Sequence, residues 1–261
     1  MGSSLSTCAS VSSAIVDPDG FICKQMFHPP ILNNHLVTYV TNIPEISSYM
    51  IDNDTISILK TPQGITKKWV IFSHGNAANI FQYYDYILKL HKELGVGCIF
   101  YDYPGYGLST GHPTDKSCVK SLKKVVNHMV ADYKIQLKDI ILMGQSIGTG
   151  VVMEYAYKSV WKQPIILVSP YKSIITVATE SSQSITQYID KYPSLKYIQE
   201  MTCPIKIFHG TDDNIIPITH GMALHEAMLN DTFNPLWLNG VGHNDIIESI
   251  PNSALLEVIN Y

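Results

Sequence analysis

Continuous apolar runs recur along the chain and predict strands that are buried on both faces of a sheet. They are WVIFS (69–73), GCIFYDY (97–103), DIILMG (139–144), PIILVS (164–169) and PIKIFHG (204–210). A shorter strand-like run, PLWL, follows at 235–238. Two other runs, LVTYV (36–40) and ISILK (56–60), alternate in polarity and therefore predict edge strands of a partly solvated sheet.

Helical periodicity fills the intervals between these strands. The predicted helices cover residues 80–94, 114–133, 147–160, 217–229 and 246–260. The second begins at the capping sequence His112-Pro113-Thr114-Asp115 and carries a single apolar stripe. Strands that alternate with helices predict an α/β fold with a mostly parallel, doubly wound sheet and helices on both faces. Ligands of such sheets bind at the carboxyl ends of the strands.

The first 35 residues are rich in Ser, Pro and Asn and show no clear period. We therefore predict an extended N-terminal segment over residues 1–35 and one α/β domain over residues 36–261. A chain of 261 residues with 46% hydrophobic residues is long enough for one substantial core.

Composition excludes several classes of function. The net charge of −4 disfavours a nucleic-acid partner, and all 18 basic residues are lysines, so the residue best suited to bidentate phosphate binding is missing. Five cysteines without a CxxC pair indicate neither a disulfide framework nor a zinc site, and they fit a reducing compartment. The absence of an HExxH motif and of a dinucleotide-binding glycine motif leads us to expect no metal or cofactor. No apolar run is long enough to span a bilayer, and no signal peptide is recognisable.

The stretch Gly144-Gln145-Ser146-Ile147-Gly148 matches the GxSxG pattern between a predicted buried strand and a predicted helix. This context is the one in which a serine sits on a tight strand-to-helix turn as a nucleophile. On the motif alone, a glycine-rich turn with an incidental serine is an equally good interpretation.

A serine nucleophile needs a base and an acid, which follow in the order Ser, acid, His in this class of site. Asp212 and Asp213 come directly after PIKIFHG, and His243 lies in the glycine-rich loop after PLWL. The alternative interpretations are that His243 is a histidine in a surface loop and that Asp213 caps a helix. Among the other histidines, His74 and His209 are interpreted as structural, and His220 and His225 are assigned to a helix whose polar face is solvated.

The oxyanion of an acyl-transfer intermediate needs backbone N–H donors. We predict that these are the amides of Ile147, the residue after Ser146, and of Asn76, in the loop Ser73-His74-Gly75-Asn76 after the first buried strand. The side chains of Ile147 and Asn76 need not take part.

These motifs resemble the α/β-hydrolase domain-containing protein 17 family of protein depalmitoylases. The resemblance covers roughly residues 21–260 and rests on SHGNA, YDYPGYGLSTG, GQSIGT, HGTDD and GVGHNDI. It implies Ser146 as nucleophile, His243 as base and Asp213 as acid, because the family pattern HGTxD favours Asp213 over Asp212. It also implies hydrolysis of fatty-acyl thioesters on protein cysteines. Only about 35 residues separate the strands at 164 and 204, which predicts a minimal cap.

The N-terminus departs from this family, whose members carry a cysteine-rich segment. Here the chain opens with MGSSLS, which fits the myristoylation pattern at Gly2; a remnant of an expression tag is the alternative. One myristoyl chain holds a protein to a membrane only marginally, so a second signal is needed. Only Lys24 is basic among the first 59 residues, which leaves acylation, with Cys8 as the first candidate and Cys23 as a weaker one.

The sequence therefore predicts a monomeric serine hydrolase, lipid-anchored at the cytoplasmic face of a membrane such as the plasma membrane or an endosome. Its expected partners are the membrane surface and S-acylated, membrane-associated proteins as substrates, with no nucleic acid. The alternatives are a carboxylesterase or lysophospholipase acting on small esters, and a non-catalytic binding module with the same fold.

Overall fold

A central eight-stranded sheet organises the computed structural model, which describes residues 23–53, 55–174, 176–177 and 190–261. The strands are β1 (Ser47–Ile51), β2 (Ile56–Lys60), β3 (Trp69–Ser73), β4 (Gly97–Tyr101), β5 (Ile140–Gln145), β6 (Ile165–Val168), β7 (Ile205–Gly210) and β8 (Leu236–Leu238). Their order is β1-β2-β4-β3-β5-β6-β7-β8. Strand β2 pairs antiparallel with β1 and β4, and every pairing from β4 to β8 is parallel. The predicted mostly parallel α/β sheet is confirmed.

Helices cover both faces of this sheet. They are α1 (Asn34–Thr41), α2 (Tyr84–Leu94), α3 (Asp115–Ala131), α4 (Ile147–Ser159), α5 (Ser194–Ile198), α6 (Ile218–Ala227), α7 (Ile246–Ser249) and α8 (Asn252–Ile259). Short 3₁₀ helices occupy Ile80–Tyr83 and Leu137–Asp139. None of the helices in the described ranges is long and apolar enough to cross a membrane.

The sheet separates two hydrophobic cores because successive side chains of a strand point to opposite faces. In β3, Ile71 packs into the core that contains α3, α4 and α6, whereas Val70 and Phe72 pack into the core that contains α2 and α8. Strands buried on both faces read as continuous apolar runs, so the prediction of the five buried strands from such runs is confirmed.

The run ISILK forms strand β2, but the prediction that it is an edge strand was wrong. Strand β2 lies between β1 and β4, and Ile56, Ile58 and Leu59 are buried. The edge is β1, whose residues are mostly half-exposed and which the sequence pattern did not single out. Alternation in ISILK therefore reflects a buried Ser57, whose amide donates a hydrogen bond to the Ser109 hydroxyl oxygen, rather than solvent on one face.

The run LVTYV was also assigned wrongly, because it lies in helix α1. The side-chain oxygen of Asn33 accepts hydrogen bonds from the amides of His35 and Leu36, which is a typical helix N-cap. Leu36, Val37 and Val40 then share one face of the helix and pack against the second core. This spacing of one and three residues fits a helical stripe, whereas a strand would place Leu36 and Val37 on opposite faces.

The predicted helix over 246–260 is two helices, α7 and α8, which are separated at Ile250-Pro251. Proline has no backbone N–H and disfavours helical geometry in the residue before it, so α7 ends there and α8 begins just after it.

The described part of the N-terminal segment packs against the domain. Residues 23–26 are helical, and Cys23, Met26 and Phe27 are buried in the first core. Helix α1 crosses the predicted boundary between residues 35 and 36, so the packed domain includes at least part of the segment. The predicted lipidation sites Gly2 and Cys8 lie outside the described residues.

Candidate active site

Ser146 occupies the sharp turn between strand β5 and helix α4. Its backbone angles are φ 52° and ψ −122°, a combination that costs a residue with a side chain on the order of 1–3 kcal/mol. The turn requires glycine at both flanking positions, because any side chain there would clash with the backbone. A Cβ at Gly148 would lie 2.1 Å from the carbonyl oxygen of Ser73, and a Cβ at Gly144 would lie 2.5 Å from the carbonyl oxygen of Gly148. The glycines of the GxSxG motif therefore allow the helix to approach the sheet closely enough to present Ser146.

His243 connects Ser146 with Asp213. Its Nε2 lies 3.0 Å from Ser146 Oγ, and its Nδ1 lies 2.7 Å from Asp213 Oδ2. An ionised carboxylate accepts a proton and does not donate one, so the Nδ1 atom carries the hydrogen and Nε2 is free to accept the serine proton. The structure thus brings together the three residues whose order along the chain suggested a nucleophile, an acid and a base.

The Asp213 carboxylate is fixed by its own loop. Its Oδ1 accepts hydrogen bonds from the amides of Ile215, at 3.0 Å, and Ile216, at 2.8 Å. Burial acts to raise the pKa of Asp213, but hydrogen bonds from His209, His243 and the Ile216 amide outweigh it and hold that pKa well below its usual range. Asp213 is therefore ionised at neutral pH.

The position of Asp213 distinguishes it from the neighbouring Asp212 and from a residue that caps a helix. Asp212 is exposed and accepts a hydrogen bond from the Thr211 hydroxyl, whereas Asp213 Oδ2 is the oxygen that contacts His243 Nδ1. Asp213 does not cap helix α6, whose N-cap position is Pro217. The choice of Asp213 agrees with the pattern HGTxD.

Four other histidines, which the sequence placed at strand ends or on a helix, are buried or partly buried. His74 and His209 are fully buried, as expected of structural residues, and burial lowers the pKa of His74 to about 4. His209 Nε2 bonds the carbonyl oxygen of Ile216, which steadies the Asp213 loop. The assignment of His220 to a solvated face was wrong, because it is fully buried and its Nδ1 accepts the amide hydrogen of Lys172. His225 is partly buried, with its ring 6.4 Å from that of Trp237.

The two predicted oxyanion donors flank the nucleophile. Ile147 is the first residue of helix α4, so its amide has no acceptor within the helix. The loop that contains Asn76 approaches from strand β3, since a Cβ at Gly75 would lie 3.7 Å from Ser146 Cβ. The motifs assigned no role to the Asn76 side chain, but it forms hydrogen bonds with the N-terminal segment, with Tyr106 and with the next residue of its own loop.

Ser146 is accessible from outside although its neighbours are not. It is partly exposed, whereas Gln145 and Ile147 are buried, and 10% of the His243 side chain is exposed. The described residues contain no group of three or more His, Cys, Asp or Glu side chains that could hold a metal ion.

Comparison with known proteins places the chain in a family. Residues 64–197 match the family model Hydrolase_4, described as serine aminopeptidase S33. A putative α/β hydrolase, L404 of Acanthamoeba polyphaga mimivirus, is 40% identical over 91% of this chain and 92% of the relative. The esterase Pf2001 of Pyrococcus furiosus shares the fold with a TM-score of 0.71 at 17% identity, over 90% of this chain and 98% of that one.

The resemblance to the α/β-hydrolase domain-containing protein 17 family is also confirmed. The human α/β-hydrolase domain-containing protein 17B is 35% identical over 182 residues, which cover 69% of this chain and 62% of the relative. The protein 17C of Xenopus tropicalis is 36% identical over 177 residues, 68% of this chain and 56% of the relative. Both alignments are shorter than the range 21–260 expected from the motifs, and the chain spans little more than half the length of these relatives. Together, the family model and the relatives show that this chain belongs to the α/β-hydrolase family of serine hydrolases.

Proposed function

We propose that this protein hydrolyses fatty-acyl thioesters on the cysteines of membrane-associated proteins, and that it acts from a lipid-anchored position on the membrane. The observation that carries the catalytic part is the hydrogen-bonded series Ser146, His243 and Asp213 on a strained strand-to-helix turn. The choice of substrate is supported by the resemblance to a family of protein depalmitoylases and by the relatives of the 17B and 17C type.

The first half of the reaction transfers the acyl group to the enzyme. Ser146 Oγ forms a bond to the acyl carbonyl carbon while His243 Nε2 takes the hydroxyl proton, and Asp213 stabilises the resulting imidazolium. The amides of Ile147 and Asn76 donate hydrogen bonds to the oxyanion. The carbon–sulfur bond then breaks, and the proton on His243 passes to the departing cysteine sulfur.

The second half releases the fatty acid. A water molecule loses a proton to His243 Nε2 and attacks the Ser146 ester, and the proton returns to Ser146 Oγ as the ester bond breaks. The products are a protein thiol and a free fatty acid, so the overall reaction is hydrolysis and requires no co-reactant.

Turnover of matched substrates tests the choice of substrate. We expect the purified full chain to cleave a palmitoyl-cysteine peptide with kcat/KM at least about tenfold above that for lysophosphatidylcholine. A tenfold preference requires only about 1.4 kcal/mol of additional transition-state binding. A peptide with the same acyl chain in an ester to serine serves as the matched substrate. Preference for the lysophospholipid would favour the small-ester alternative, and absence of any acyl hydrolysis would favour a non-catalytic module.

Membrane anchoring is tested at Gly2. We expect Gly2→Ala to shift most of the protein from the membrane to the soluble fraction of expressing cells, because a single remaining acyl chain binds membranes weakly. Ser4→Ala, which retains the MGxxx[ST] pattern, serves as the control. An unchanged membrane fraction for Gly2→Ala would refute the myristoyl anchor.

A further inference from the structure

The Asn76 side chain joins the candidate oxyanion loop to the N-terminal segment. Its Nδ2 donates a hydrogen bond to the carbonyl oxygen of Met26, at 2.7 Å. Its Oδ1 accepts one from the amide of His28, at 3.0 Å. Residues 26 and 28 lie about fifty positions earlier in the chain, so these bonds tie a distant segment to the residue that follows Gly75.

The tyrosine-rich stretch YDYPGYG supports the same loop from the protein interior. The hydroxyl of the buried Tyr106 donates to Asn76 Oδ1 at 2.7 Å and accepts the amide hydrogen of His28 at 3.0 Å. The Tyr103 hydroxyl donates to the carbonyl oxygen of His74, also at 2.7 Å. Three groups, namely the Asn76 carboxamide, the Tyr106 hydroxyl and the His28 amide, thus form a closed set of hydrogen bonds.

The backbone of this loop is held in a conformation that needs such support. Ala77 has φ 55°, in the left-handed region that residues with a side chain rarely adopt. Its amide donates to the side-chain Oδ1 of Asn76 at 3.0 Å. The same carboxamide therefore stabilises the turn that aims the Asn76 peptide group, and it depends on Met26, His28 and Tyr106 for its own orientation.

We propose that Met26, His28 and Tyr106 are positioning residues for the oxyanion site, which they orient through the Asn76 side chain. The N-terminal segment is thus part of the catalytic apparatus as well as a connection to the proposed anchor. This inference rests on the proposed serine-hydrolase activity. Donors to an oxyanion stabilise the transition state more than the bound substrate, so a displaced donor lowers kcat more than it raises KM.

The inference is tested at His28, whose side chain is exposed and whose amide makes the two contacts. His28→Pro removes the N–H, whereas the matched control Ile31→Pro introduces a proline at an exposed residue outside this set of hydrogen bonds. We expect His28→Pro to lower kcat about tenfold with KM changed less than about twofold, because complete loss of one oxyanion donor costs about 100- to 1,000-fold. The inhibition constant of a trifluoromethyl ketone, which forms an oxyanion on Ser146, should rise by the same factor. Ile31→Pro should match the wild type.

A second pair of variants guards against misfolding of His28→Pro. Tyr106→Phe removes the hydroxyl that bonds Asn76, and Tyr86→Phe removes a buried hydroxyl that contacts Met143 Sδ at 3.9 Å. We expect a loss of kcat and of ketone affinity for Tyr106→Phe alone, with thermal unfolding recorded for both. Wild-type kcat in folded His28→Pro or folded Tyr106→Phe would overturn the inference.

The assays use p-nitrophenyl butyrate as well as the palmitoyl-cysteine peptide, so that the two proposals can fail separately. Turnover of the butyrate ester without turnover of the thioester would reject the proposed substrate and leave the positioning test intact. Turnover of both substrates with no effect of the variants would reject only the positioning role. If the wild type hydrolyses neither, both proposals fall.

Discussion

Ser146→Ala is expected to reduce kcat for acyl hydrolysis by about a million-fold. Without the hydroxyl, His243 Nε2 has no nucleophile to deprotonate, and no acyl-enzyme can form. The remaining acceleration would come from the oxyanion donors and from substrate binding, which together supply about 1,000- to 10,000-fold over water in related sites. The folded state should not suffer, since alanine removes one atom from a partly exposed position.

Two measurements check this result. Steady-state hydrolysis of the palmitoyl-cysteine peptide gives kcat, and labelling with a fluorophosphonate probe reports the nucleophile directly. Ser159→Ala is the matched control, because Ser159 lies at the other end of helix α4 and its hydroxyl donates to carbonyl oxygens of that helix. Undiminished labelling or hydrolysis by Ser146→Ala would remove Ser146 as nucleophile.

Asp213→Asn is expected to lower kcat at neutral pH by about 10,000-fold. The asparagine can keep its carbonyl oxygen toward the amides of Ile215 and Ile216, so the loop should retain its shape. Its NH₂ group then faces His243 Nδ1 and donates a hydrogen bond to it. This contact favours the tautomer with the hydrogen on Nε2, which cannot accept the proton of Ser146.

The neighbouring acid provides the control. Asp212→Asn changes the same charge one residue earlier, at an exposed side chain that bonds only Thr211 among the described contacts. We expect it to keep kcat within about twofold of the wild type, since surface substitutions rarely disturb a site they do not touch. Similar losses for the two variants would mean that charge near the site, rather than the contact with His243, determines the rate.

The candidate site was more predictable than the fold that surrounds it. Ser146, Asp213 and His243 each follow a strand in the parallel part of the sheet, so their approach at one edge follows from topology once the strands are recognised. The choice between Asp212 and Asp213 came from a family pattern, and the structure explains it. Asp213 turns inward because its Oδ1 bonds the amides of its own loop, whereas Asp212 faces solvent.

The wrong assignments share one cause, which is that short patterns fit more than one environment. LVTYV supports either a strand or a helical stripe, and the Asn33 cap and the second core select the helix. ISILK alternates as an edge strand does, but β1 pairs with its free side and buries it. His220 lies on a helix whose exposed face could not be assigned before the packing of the helix was known.

The sequence by itself determined the α/β class, the buried strands and the order of nucleophile, acid and base, because these depend on local periodicity and on motifs within a few residues. Only the tertiary structure decided which strand forms the edge, that Asp213 contacts His243, and that Met26, His28 and Tyr106 converge on Asn76. The physical reason is the range of the interactions. A helix or strand is specified largely by its own residues, whereas hydrogen bonds between segments thirty to fifty residues apart form only when the sheet has brought those segments together.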